Sequence, residues 1–266
     1  MEYSTDTVRT MIDKAVRTTD ENATPAFAAV TGSHNYGFPS ESGGDVDVRG
    51  FHLVDGDRYL RLDDPREQYV INQDGTTAGF EEYAEIDLVS YELKKFTSLV
   101  YSCNFNVLEV IFCGDEIING VPLELRRLKQ IITDELPSDV PRTYAGMAKS
   151  NYYKFLNPNK DTYRPTAKKF LYVLRGLIAS QYVTNEKTIT ADVRDLAEWH
   201  GEYTTLVDEL IAVKRDAETA TVDDDLAERA DEAIATLFGE VDPADDIDKT
   251  EYKTKLNEWM LKVRDV

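Results

Sequence analysis

Phe27-Ala28-Ala29-Val30-Thr31-Gly32-Ser33 and, after a turn-rich stretch, Asp45-Val46-Asp47-Val48-Arg49 decide how this chain is read. The first run is short and apolar, as a buried strand is, and Gly32-Ser33 ends it. The second alternates. Asp45, Asp47 and Arg49 fall on one side and Val46 and Val48 on the other, the period of two that a strand requires. This pattern predicts a strand over residues 45–54. Residues 83–89 alternate in the same way, with Glu85 and Asp87 on one face and Ile86 and Leu88 on the other. Ser90 then stands where an N-cap would, ahead of the helical stripe Leu93, Phe96, Leu99, Val100 and Cys103. Upstream, Val8, Met11, Ile12 and Val16 have helical spacing over residues 5–18.

Beyond Gly114 the pattern becomes helical, over residues 122–133, 141–155, 165–183, 191–199, 203–215, 223–238 and 247–263. Pro122, Pro141 and Pro165 sit where a first turn accepts proline. Asn157-Pro158-Asn159 and Asp242-Pro243 read as loops. The expected fold is therefore α+β. A domain over residues 1–115 carries a small mixed sheet, an all-helical domain follows over 116–266, and the boundary falls near 114–121.

Gly32-Ser33 after one strand, Asp45-x-Asp47 on a second and Asp87 on a third answer one chemical demand. Each alone is ordinary: a turn, a solvated strand face, a single acid. Transfer of a nucleotide requires that a polyphosphate be neutralised and an acceptor activated, and two divalent cations about 3.5–4 Å apart do both. Mg²⁺, or Mn²⁺ in its place, takes carboxylate and phosphate oxygens. Asp45 and Asp47, two apart on a strand, point the same way, and a neighbouring strand about 4.8 Å away can bring Asp87 to them. Backbone N–H groups at Gly32-Ser33, at a helix start, would receive the phosphates.

Gly32-Ser33-His34-Asn35-Tyr36-Gly37 followed by Asp45-Val46-Asp47-Val48-Arg49 resembles the signature of the DNA polymerase beta-like nucleotidyltransferase superfamily. The chain is most similar to a branch of predicted nucleotidyltransferases from bacteria, archaea and phages, one type of which is associated with RNA repair. That branch shows Gly-Ser-x-x-aromatic-Gly-Phe, Asp-x-Asp-x-Arg and a Tyr-Leu pair, matched here by Tyr59-Leu60. The likeness continues through Asp87, Lys95, Asn106 and Glu109 to residues 144–149 and 169–175, so it spans about 27–183. It departs at the loop before Asp45, which is one residue longer, and at Gly44, where a Ser is common. The resemblance implies transfer of a nucleoside monophosphate from a nucleoside triphosphate such as ATP, with pyrophosphate released. Asp45, Asp47 and Asp87 would bind the metals, and Gly32, Ser33, Arg49, Lys95, Lys169 and Arg175 the substrate. Other readings stand beside these roles. Arg49 fits a structural ion pair and Lys95 a solvated lysine, while Asn106 with Glu109 reads as a helix cap. Lys168, Tyr172 and Arg175 form one helical stripe, either facing an anion or neutralised by neighbouring acids.

Fifty acids against thirty bases give a formal charge of −20, which disfavours non-specific binding of DNA or RNA. An RNA acceptor is therefore possible but not favoured, and the acceptor, like the oligomeric state, is not readable. No apolar run is long enough to span a membrane, and no secretory signal opens the sequence, so a cytoplasmic location is expected. Cys103 and Cys113, the only cysteines, read as reduced, buried thiols. His34, His52 and His200 are too scattered for zinc. The alternatives in other classes are a non-catalytic nucleotide-binding or regulatory module and a toxin-type modifier of RNA or protein. The acidity itself has two readings, a halophilic source and an ordinary acidic surface. They separate in a melting curve from about 0.1 to 3 M potassium chloride, over which the Debye length falls from about 10 Å to below 3 Å. Salt adaptation predicts a melting temperature that climbs across the series; a flat or falling one removes it.

Overall fold

The computed structural model describes residues 4–19, 23–38, 45–73, 75–216, 220–241 and 248–264. The loop between Phe38 and Asp45, with Gly44, and the Asp242-Pro243 turn lie outside them. The described chain forms two compact units. A sheet unit draws on Met1–Gly32, Gly44–Glu135 and Asp248–Val266, and a helical unit on Ser33–Gly43 and Leu136–Ile247.

The sheet unit begins with α1 (Thr5–Thr19), β1 (Thr24–Thr31) and β2 (Val46–Leu53). After these come β3 (Gln68–Ile71), β4 (Ile86–Glu92), α2 (Leu93–Tyr101), α3 (Phe105–Cys113), β5 (Asp115–Asn119) and α4 (Pro122–Glu135). The five strands lie in the order β3-β4-β2-β1-β5. Only β2 and β4 run parallel; the other pairs are antiparallel, so the sheet is mixed as expected. Val8, Met11, Ile12, Ala15 and Val16 of α1 cluster with Ala28, Val48, Ile86 and Leu88 to bury one face. Phe51 packs into the opposite face against Phe96 of α2, ring centroids 4.7 Å apart, and against Phe27.

The helical unit holds α5 (Asp139–Asn151), α6 (Ala167–Glu186), α7 (Val193–His200), α8 (Thr204–Asp216) and α9 (Asp224–Gly239). The last helix, α10 (Thr250–Arg264), belongs to the sheet unit. Its Trp259 packs edge-on to Phe51 and donates Nε1–H to the Glu124 carbonyl of α4 at 2.7 Å. The units therefore do not follow a single cut near 114–121. β5 pairs with β1, α4 and α10 pack together, and the Ser33–Gly43 piece goes to the helical unit.

Two caps differ from expectation. Ser90 lies inside β4 with its hydroxyl against His52 Nδ1 at 2.9 Å, and the strand runs on to Glu92. Glu92 caps α2 instead, its carboxylate accepting from the Lys94 and Lys95 amides at 2.8 and 3.2 Å. The Tyr59 hydroxyl donates to the same carboxylate, and burial followed by this bond pushes its pKa well above the tyrosine range. Before α3, Cys103 takes a left-handed conformation (φ 57°) that turns the chain early. The cap is then Asn104, accepting from the Val107 amide at 3.3 Å, while Asn106 lies in the helix and Glu109 is buried within it. No single helix among the described residues is long and apolar enough to cross a membrane, and α2 and α3 meet at 104°.

Replacing Glu92 with Ala removes the acceptor for two amides and one hydroxyl. An N-cap loss of about 1–2 kcal/mol is expected, read as a lower urea midpoint at unchanged slope, with Glu92→Gln retaining part of it. An unchanged midpoint for the alanine variant would show that the cap adds nothing.

Candidate active site

The parallel register of β2 and β4 sets Asp47 directly opposite Asp87, and on its other side Asp47 faces Thr31 of β1. Residues opposite in adjacent strands lie about 4.8 Å apart in the backbone, so the two carboxylates share one region of one face. That face is the one away from α1, since Val48, Ile86 and Leu88, of opposite parity, enter the α1 cluster. Farther along β2 the same face is closed by Phe51 under α2 and α10. The carboxylates occupy the beginning of the parallel pair, and the Asp47 side chain keeps 34% of its surface. Asp45 immediately precedes β2 and is exposed; the next residue, Val46, donates its amide to the Glu85 carbonyl at 2.8 Å.

Gly32, the residue that follows β1, could be no other residue. It has φ +73°, and a Cβ built on it would lie 2.0 Å from Asp47 Oδ2. The Asp47 carboxylate thus lies against the Gly32 backbone, in space that only a glycine leaves. A left-handed backbone and a close approach both demand the same residue here. The helix expected after Gly32 is a single 3-10 turn, Gly32–His34. It presents backbone amides without the dipole of a long helix.

Arg49 lies on the carboxylate face, its guanidinium 4.0 Å from Asp47 Oδ1 and 19% exposed. This contact gives Asp47 a cation at the distance where ion pairing begins. Lys95 is not brought to the carboxylates. Asp87 and Glu92 lie five residues apart along β4, about 16 Å at the strand rise, and Lys95 sits in the first turn beyond, paired with Glu67 at 2.8 Å. Asp87 stands at the start of its strand, and Lys95 follows the strand's other end. Tyr59-Leu60 lies in a 3-10 turn, Gly56–Leu60, with Tyr59 bound to Glu92.

Ser33, Lys169 and Arg175 belong to the helical unit. Arg175 is completely buried, its guanidinium stacked on Tyr36 at 3.8 Å, and Tyr36 meets Tyr172 edge-on at 5.7 Å. Phe38 packs on Tyr172 as well, with Lys214 Nζ 5.7 Å from its ring. The helical stripe therefore faces inward toward the aromatic residues of the glycine motif, so Arg175 reaches that loop and not solvent. Lys169 lies over the Phe155 ring at 3.8 Å, and Lys168 is partly buried beside it in sequence. Sequence reasoning missed Asp192, whose carboxylate lies where a Gly37 side chain would go and which caps α7 by accepting the Arg194 amide at 2.8 Å. The Val193 amide also donates to the Tyr36 carbonyl at 3.1 Å.

Among the described residues no three His, Cys, Asp or Glu side chains converge closely enough to form a metal cage. The donor set nonetheless suits a hard cation of the magnesium type, which is commonly held by one or two carboxylates completed by substrate phosphates and water. Asp47 and Asp87 supply such a pair.

A mixed sheet with paired strand carboxylates beside a strand-ending glycine defines the class of polymerase beta-like nucleotidyltransferases. The model of the RNA repair pathway DNA polymerase beta family matches residues 9–262, and the chain belongs to that family. An uncharacterized protein of Methanocaldococcus jannaschii is 34% identical over 88 residues, 32% of this chain and 32% of that protein. The uncharacterized protein YcgL of Bacillus subtilis is 25% identical over 187 residues, 70% of this chain and 63% of its own length. The chain thus spans less than two thirds of either relative. No solved structure matches.

Gly32→Ala should cost about 1–2 kcal/mol for the left-handed backbone alone, with a further loss from displacing Asp47. In an Asp47→Gly background the further loss should vanish. A double-mutant cycle read by urea unfolding measures it directly; additive costs would show that Gly32 and Asp47 do not touch.

Proposed function

We propose that this protein transfers a nucleoside monophosphate from a nucleoside triphosphate to an acceptor hydroxyl or phosphate, with release of pyrophosphate. The observation that carries the reading is the register pairing of Asp47 with Asp87 against the Gly32 backbone. Three acids in sequence are common; two set side by side on a half-open face, with a glycine held clear for one of them, are not explained by folding. Like charges directly opposite destabilise a strand pair; Arg49 at 4.0 Å offsets part of this at Asp47, and a bound divalent cation would offset more.

Asp45, Asp47 and Asp87 are assigned to hold two Mg²⁺ or Mn²⁺ ions, which when bound would neutralise the triphosphate and lower the pKa of the attacking group. Asp87 is assigned to complete the attacking side and to assist in removing the acceptor's proton. Arg49 orients Asp47 from along the same strand. The backbone amides of Gly32 and Ser33, with the Ser33 hydroxyl, are assigned to the terminal phosphates. Arg175 is reassigned from contacting substrate to holding Tyr36, and through it the loop that follows Ser33. Lys169 keeps its assignment as a substrate cation; Lys95 does not.

The test supplies each labelled nucleoside triphosphate, Mg²⁺ or Mn²⁺, and RNA or lysate as acceptor, and follows labelled product and pyrophosphate. Asp47→Asn and Asp87→Asn should each lower transfer by about a thousandfold, the equivalent of about 4 kcal/mol. Without metal they should melt no lower than the parent, because a repulsion has been removed. Turnover within tenfold of the parent in either variant would sink the assignment. Nucleotide binding with no turnover on any acceptor would favour a regulatory module instead.

A further inference from the structure

The charge of the chain is unevenly distributed. Between residues 140 and 185 there are eight lysines and arginines and one acid, Asp161, whereas the rest of the chain carries forty-nine acids and twenty-two bases. The stretch lies wholly within the helical unit. There α5 runs into a π-helical turn, Tyr152–Leu156, a rare conformation that is frequent at functional sites. The chain then closes a loop on that turn. The Asn157 side chain accepts from the Asn159 amide at 3.0 Å, the Lys160 and Tyr163 amides bond back at 3.1 and 3.0 Å, and the Arg164 amide returns to the Phe155 carbonyl at 2.6 Å.

Lys149, Lys154, Lys160 and Arg164 are all exposed on this loop and the helix end beside it. So are two aromatic rings, Tyr153 at 52% and Tyr163 at 37%, both among the few large apolar side chains that the described chain exposes. The Arg164 guanidinium is steadied by the carbonyls of Asp161 and Tyr163 at 3.4 and 2.6 Å. Lys154 and Lys169 both lie over one ring, Phe155, at 4.8 and 3.8 Å from its centroid. Lys168 and Lys169 stand in the first turn of α6, which carries no acid. Positive charge there opposes the helix dipole, and the chain leading into the acidic start of α9 runs beside it, where the Val222 amide donates to the Pro165 carbonyl at 3.3 Å.

Solvation accounts for exposed lysines but not for their concentration in an acidic chain, and not for rings left in water among them. A ligand that would use both must repeat a negative charge and offer flat, unpaired faces. We propose that this face of the helical unit binds a single-stranded polynucleotide, its phosphates on Lys149, Lys154, Lys160 and Arg164 and its bases stacked on Tyr153 and Tyr163. Stacking of successive bases on aromatic side chains within a cationic track is how strands are held without sequence preference. A duplex hides its base faces and supplies only the charge. As the acceptor of the transfer proposed above the strand rests on that reading; its binding does not.

The experiment is fluorescence anisotropy with a labelled 20-nucleotide RNA, the DNA of the same sequence, and the duplex, with no nucleoside triphosphate present, at about 50 and 200 mM salt. The single strands should bind at least tenfold tighter than the duplex. Lys149→Ala/Lys154→Ala/Lys160→Ala should weaken binding at least tenfold and flatten the salt dependence by about two in log–log slope, each phosphate contact on a single strand contributing about 0.7. Tyr153→Ala should weaken binding about tenfold while leaving the slope unchanged. A charge-matched control, Arg126→Ala/Lys253→Ala/Lys262→Ala, should have no effect. Melting curves verify that each variant is folded, and the tyrosine variant provides an independent arm. Equal affinity for strand and duplex, full affinity in the triple-lysine variant, or no binding by the parent at about 10 μM overturns the proposal. Because no transfer is measured, its failure leaves the catalytic assignment untouched, and a catalytic failure leaves the binding result standing. RNA and DNA of one sequence separate recognition of the 2′-hydroxyl from recognition of charge and stacking.

Discussion

The parallel pairing of β2 with β4 places two negative charges side by side, and much of the sheet unit is arranged around that placement. A parallel neighbour cannot be reached by a tight hairpin, so the chain must leave β2, cross over and return. The segment between them supplies β3 as the outer neighbour of β4 and the turn whose Tyr59 meets Glu92. α1 covers the face with Val48, Ile86 and Leu88, while α2 and α10 close the other face only from Phe51 onward. Burial at one end of that face thus anchors strands whose other end carries charge and stays partly open. The repulsion between Asp47 and Asp87 is tolerable because water reaches Asp47 and Arg49 lies nearby. It would not be tolerable beneath a helix, where desolvation adds to it.

How far the sequence reveals this depends on the kind of interaction. A continuous apolar run identifies β1, and alternation identifies β2 and the body of β4, because half-buried strands must separate polar from apolar residues. Alternation also puts Asp47 and Asp87 on the same face of the sheet, while Asp45 falls just before β2. It cannot supply the register that makes Asp47 the neighbour of Asp87, since a register is a relation between distant segments. β3 is four residues long and β5 opens with two acids, so neither edge strand carries a legible period. The misplaced caps have a common origin. Ser and Asn are preferred at N-caps, yet β4 continues past Ser90, and the left-handed Cys103 starts α3 two residues before Asn106 could cap it. Lys95 stands well away from Asp87 for the same reason, since β4 runs three residues past Val89 before α2 begins.

The glycine motif proves to serve two bodies. Gly32 is the last residue of its piece of the sheet unit and is shaped by Asp47; Ser33 begins the piece that packs with the helical unit. The aromatic residues between the motif's glycine and its carboxylates are core residues there. Tyr36 and Phe38 are buried around Tyr172, and Gly37 leaves room for Asp192. A motif read for phosphate chemistry therefore owes part of its pattern to packing. Arg175 shows the same dual origin: a cation on a helix stripe, expected to face substrate, is fully enclosed over an aromatic ring. A planar guanidinium stacks on a ring and still presents donors at its edge, which an ammonium does not, so arginine suits this position for reasons of shape as much as charge.

The chain's acidity bears on recognition through its distribution more than its sum. A strongly negative surface repels long polyanions at every point it presents, and this repulsion acts over about 8–10 Å at moderate ionic strength. A short basic stretch within such a surface cannot recruit strands from far away, because the wider field opposes it. It acts only at contact, where a phosphate meets a lysine and a base meets a ring. Contacts of that range discriminate by shape: a flexible strand can bring its phosphates and bases to one loop, whereas a rigid duplex must bring its whole charge against the surrounding acids. Raising the salt weakens the repulsion and the attraction together but leaves stacking in place. For the strand binding proposed above, acids over most of the chain and a few cations among exposed tyrosines would be complementary parts of one electrostatic arrangement.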